Sequence, residues 1–154
     1  MKRKSSTKAE TMQTAQEALE SIQSAATSAD PEVRIARRRE LGSVLHQGDV
    51  YLHRVPDNHP RGALLGTMQI AVGTTIGSRH VVEGSKVSVY AGVRYPDGFT
   101  EPAGCAPNAL LGPVIVAEED YTLTHPEHAH HRSPAGVDQV TYQFDARTML
   151  AVAD

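Results

Sequence analysis

Eight histidines punctuate this 154-residue chain, and four of them fall within seven residues, His125-Pro126-Glu127-His128-Ala129-His130-His131. Neutral imidazole nitrogens held close together can converge on one zinc, copper, nickel or iron ion. A catalytic ion of this kind needs three placed protein ligands and an open position, with further groups orienting the rings. The candidate set is His80, His125 and His128, with Glu83 as an alternative to His80. A strand running from Tyr121 to His125 puts His125 on the face of Tyr121 and Leu123, from which it can point inward. Against a metal site, Pro126 and Pro134 bracket a turn-like segment, and the neighbours His130 and His131 point apart if extended. Exposed or structurally satisfied histidines are therefore the simpler expectation. No cofactor is expected, and zinc or another transition metal is the alternative.

Other chemistry has less support. Cys105 lies in Ala103-Gly104-Cys105-Ala106-Pro107 without a basic neighbour to lower its thiol pKa. Gly73-Thr74-Thr75-Ile76-Gly77-Ser78 lacks the Gly-Lys-Ser/Thr ending of a phosphate loop and reads as a connection. Glu118-Glu119-Asp120 could attract a hard cation, but three adjacent carboxylates at a strand end read first as a solvated turn. With no nucleophile, general base or substrate pocket identified, the balance leans away from an enzyme.

The elements that must position these residues divide at a change in composition. The first 40 residues carry eight basic and six acidic side chains, no aromatic and no glycine; the remainder carries seven basic and twelve acidic side chains and all twelve glycines. The expected organisation is a helical arm with a basic tip, residues 1–41, and a β-rich body, residues 42–154. Met12, Ala15, Leu19, Ile22 and Ala26 are spaced by three and four residues, which lays them on one helical seam suited to a protein partner. Asp30-Pro31 reads as a cap and first turn of a second, shorter helix reaching about Leu41 and ended by Gly42. Arg37-Arg38-Arg39 then complements the negative end of that helix, a better reading than contact with nucleic acid.

The body reads as short strands near Gly48–Val55, Leu65–Val72, Arg79–Val82, Lys86–Val93, Pro113–Ala117, Tyr121–His125, Val137–Phe144 and Met149–Val152, with a long loop over Tyr95–Gly112. The expected fold is mainly β, a small antiparallel sandwich or barrel with an N-terminal helical arm. One cysteine excludes an internal disulfide framework, and no apolar run approaches the roughly 20 residues that span a bilayer. The basic start is followed by a polar stretch instead of an apolar core, so a secretion signal is not expected.

From about Gly48 onward the chain resembles a family of small, uncharacterised β-rich proteins found in bacteria and phages. The elements that carry the resemblance are Gly48-Asp49-Val50, His80 within a Gly-His-x-His element whose first histidine is Ser78 here, His125-Pro126-Glu127-His128, and Pro134-Ala135-Gly136 followed by a strand with Gln143. Asp138 stands where that family has an aromatic, and Phe144-Asp145 replaces Arg-Glu. A cupin-type pattern, His-x-His then Glu and a later His, is matched only in part. The expectation is a structural or interaction protein, cytoplasmic or part of a virion, whose arm docks onto other subunits in a homo-oligomer or larger assembly. A metal-dependent enzyme or metal-binding regulator is the alternative.

Overall fold

A computed structural model describes residues 32–72, 79–93, 110–145 and 150–151. They form twelve strands: β1 (Val33–Ile35), β2 (Val44–Gln47), β3 (Val50–Val55), β4 (Gln69–Val72), β5 (Arg79–Glu83), β6 (Val87–Tyr90), β7 (Leu110–Ala117), β8 (Tyr121–Thr124), β9 (His130–Ser133), β10 (Gly136–Tyr142), β11 (Phe144–Asp145) and β12 (Leu150–Ala151). Two five-stranded sheets run β1-β9-β8-β5-β4 and β2-β3-β10-β7-β6, and β11 pairs with β12. All pairings are antiparallel except β1 with β9. Neither sheet closes into a barrel among the described residues, and no helix there is long and apolar enough to cross a membrane.

Strand alternation explains the core. Val50 and Leu52 of β3, Val87 and Val89 of β6, Ile115 of β7 and Val140 of β10 share one buried cluster with Ile70, Val82, Tyr121 and Leu123 of the other sheet. With period two, each sheet presents one apolar face to this cluster. The second sheet also buries Val55, Val114 and Val137 in a smaller cluster. There His59, from the segment after β3, bonds Gln139 Oε1 at 3.0 Å, and burial lowers its pKa.

The expected second helix is not formed. Residues 33–35 are β1, which pairs with β9, so this part of the chain belongs to a sheet. Two physical effects account for this: Val33 and Ile35 are β-branched and favour a strand, and Arg39 is drawn inward to Asp138 at 2.7 Å. Arg39 therefore does not cap a helix end. Gly42 instead lies in a turn at φ 80°. The seam Met12, Ala15, Leu19, Ile22 and Ala26 lies outside the described residues, as do Cys105, residues 73–78 and most of the expected 95–112 loop, whose last residues enter β7. His130 and His131 lie in β9, whereas the sequence suggested a turn.

Candidate histidine site

β5 and β8 pair with Val82 opposite Leu123 and Val81 opposite Thr124, so the next step along the ladder sets His80 opposite His125. Both follow the inward phase of their strands. His80 alternates with buried Val82, and His125 continues the buried series Tyr121, Leu123. His80 is 1% exposed and His125 2%. The bend after β8 returns the half-buried His128 to the same place: ring centroids are 4.4 Å apart for His80 and His125, 4.4 Å for His125 and His128, and 6.3 Å for His80 and His128. The structure thus brings together the three histidines singled out in the sequence. Glu83 is not among them; it is exposed, and its carboxylate accepts from Thr124 Oγ1.

The hydrogen bonds constrain these rings. His80 Nε2 lies 3.0 Å from the carbonyl of Gln47, which can only accept, so the proton sits on Nε2 and the lone pair of the neutral ring is on Nδ1. His125 Nδ1 accepts from the Glu127 amide at 3.1 Å. Interplanar angles of 24–39° show tilted to stacked rings. Among the described residues no three ligating groups already surround one common point.

Sequence reasoning missed Gln47. It ends β2, and Gly48 at φ 56° makes the two-residue turn into β3, with Gln47 paired to Val50. A positive φ at that place suits glycine. This turn holds Gln47 against the other sheet, where its Nε2 donates to Ala129 O at 2.6 Å and Leu123 O at 3.4 Å. Gln47 is 2% exposed, and its Oε1 has no hydrogen-bond partner among the described residues.

A second buried polar centre lies between the sheets. Asp138 receives Arg39 Nη1 at 2.7 Å, Arg54 Nη2 at 3.1 Å and the Tyr121 hydroxyl at 2.6 Å. Arg54 also donates to the carbonyls of Ala135 and Pro134, and Arg39 to those of Ser43 and Leu52. Burial, then the charge of Asp138 and its hydrogen bond, push the Tyr121 hydroxyl well above its ordinary pKa. Gly136, at φ 141°, leaves room for this guanidinium, because a Cβ there would collide with Arg54 Nη1. The sequence did carry a signal for the centre, an Arg and an Asp on the inward phases of two strands, and the register pairs Asp138 with Arg54.

Two of the three adjacent carboxylates, Glu119 and Asp120, are engaged at the surface. Glu119 pairs with Lys86 at 2.7 Å and accepts from Ser85, which lowers its pKa, while Asp120 pairs with Arg132 at 3.4 Å. At the side of the body where β1 and β2 are the outermost strands of their sheets, Arg34, Arg38, Val44, Leu45, His46 and His131 line a groove of about 380 Å³. Burial, followed by the charges of Arg34 and His46, lowers the pKa of His131 there.

Comparison with protein-family models, curated proteins and solved structures returns no match.

Proposed function

We propose that the chain is a non-enzymatic structural or interaction protein that assembles with neighbouring copies of itself through the β1 edge. One observation carries this reading: of the six large apolar side chains exposed among the described residues, four, Val33, Ile35, Leu41 and Val44, fall within residues 33–44 beside the groove. A monomer gains nothing from concentrating exposed apolar residues along β1, the start of β2 and the turn between them, whereas an interface does.

The edge also suits a second copy. His130 N donates to Glu32 O and Ala36 N to Arg132 O, so in parallel pairing the peptide groups of Val33 and Ile35 face away from β9. An antiparallel copy centred on Val33 sets Glu32 opposite Arg34 of the other chain, twice over by symmetry. These two side chains now form an exposed pair with each other at 3.2 Å. Met12, Ala15, Leu19, Ile22 and Ala26, which lie outside the described residues, are kept in the proposal as a further candidate contact with partner subunits, and a virion is an assembly of the proposed kind.

Sedimentation of the full chain tests the proposal. Wild type is expected to sediment as a dimer or larger species, Ile35→Asp as a monomer, and Arg34→Glu to weaken association through like-charge pairing. Combining Arg34→Glu with Glu32→Arg restores the opposite charges and should recover assembly. A wild-type monomer, or a double variant no better than the single one, overturns the edge contact.

A further inference from the structure

We infer that His80, His125 and His128, with Gln47 beside them, form a binding site for one divalent transition-metal ion of the zinc class. The inference is independent of the assembly reading and rests on the placement of four side chains from three parts of the chain. β5, the end of β8 and the bend at 126–128 bring three imidazoles to successive 4.4 Å spacings, two of them almost completely buried.

His80 already has the arrangement of a ligating histidine. Its Nε2–H is anchored on the Gln47 carbonyl, which leaves Nδ1 as the basic nitrogen; metal-bound imidazoles characteristically anchor their other N–H in this way. Gln47 supplies the second observation. The residue whose carbonyl orients His80 also donates its side-chain N–H to Ala129 O, directly after His128, and its buried Oε1 has no hydrogen-bond partner among the described residues. Buried polar oxygens in folded proteins nearly always have partners. A bound cation meets that need directly or through an O–H of its own water. The choice of ion follows from the donors: three neutral nitrogens and an amide oxygen, with Glu83 turned outward, suit zinc-like ions better than calcium or magnesium.

The bend must move for the site to close. The Glu127 amide occupies His125 Nδ1 at 3.1 Å, and all three ligating nitrogens have to reach about 2.0–2.1 Å from one point. Pro126 and Glu127 are exposed, so the element that has to shift is not locked in the core.

The test uses the full chain without an added histidine tag, titrated calorimetrically with Zn²⁺, and with Co²⁺ followed by its visible absorption. One equivalent is expected, with a tetrahedral cobalt spectrum. His125→Ala combined with His128→Ala should abolish it, and Gln47→Ala should lower affinity by about 10–100-fold. His46→Ala with His131→Ala, at the groove, should leave binding unchanged. Circular dichroism of each metal-free variant separates lost binding from lost folding, and His128→Ala alone, at a half-buried position, gives a folded variant in which affinity must still fall. Absence of stoichiometric binding, full affinity in His128→Ala, or equal loss in the groove variant overturns the site.

Discussion

Two polar centres occupy the interior of one β body, and they are built on opposite terms. Around Asp138 there are formal charges, and each is answered: all four terminal nitrogens of Arg39 and Arg54 donate to a carboxylate, hydroxyl or carbonyl oxygen. Around His80 there are imidazoles and an amide whose oxygen has no partner among the described residues. The first centre joins the segment after β1 to β3, β8 and β10, so the fold depends on it. The second is placed by strand register and a bend. Paired formal charges mark the structural centre, even though Arg54 Nε has no hydrogen-bond partner among the described residues; three grouped imidazoles beside the Gln47 amide oxygen mark the candidate site.

The largest effect is expected at Asp138. Asp138→Asn leaves two buried guanidiniums, 4% and 6% exposed, without their counter-ion. Removing one partner of a buried ion pair costs about 3–5 kcal/mol. Urea unfolding should show that loss as a lower midpoint with an unchanged slope. A cost below about 1 kcal/mol would mean that this centre does not hold the segment after β1 to β3, β8 and β10.

Tyr121 makes the first centre sensitive to pH. Its pKa is raised in the folded state, so its contribution is complete below the unfolded value near 10 and is lost as pH rises above it, where only the unfolded chain ionises freely. Tyr142 acts in the same sense, since burial, then the charge of Asp49, raises it to about 12. Stability should therefore fall from about pH 10 upward. Tyr121→Phe should cost about 1.5–3 kcal/mol at neutral pH, the worth of a hydrogen bond to a charged group, and should flatten the alkaline slope. Denaturant titrations at pH 8, 9.5 and 10.5 check both; an unaltered slope would remove Tyr121 from the account.

These centres also explain which parts of the fold were legible in the sequence. Alternation located β3, β5, β8 and β10 to within a few residues, because each sets apolar side chains on one face. It failed at residues 32–41, where an Asp-Pro start and an arginine run imitate a helix. Nothing local reveals that Arg39 finds its partner 99 positions away. β9 was missed because His130-His131-Arg132-Ser133 contains no apolar residue, and its place is fixed by pairing with β8 and β1. The three histidines could be chosen by type and spacing. Gln47 could not, since its importance comes from a turn that lays it against the other sheet.

The smallest effect is the most discriminating. His128→Ala removes a half-buried ring that stacks on His125 at 4.4 Å and 24°. Ring pairs contribute about 0.5–1.5 kcal/mol beyond area burial, for aromatics more apolar than imidazole. The metal-free variant should therefore lose no more than about 1 kcal/mol, several-fold less than Asp138→Asn, with its circular dichroism unchanged. Thermal unfolding in the presence of a chelator measures this. A loss comparable to that at Asp138 would make His128 part of the structural framework. The two centres would then differ only in chemistry, and the bend would lack the freedom that binding requires.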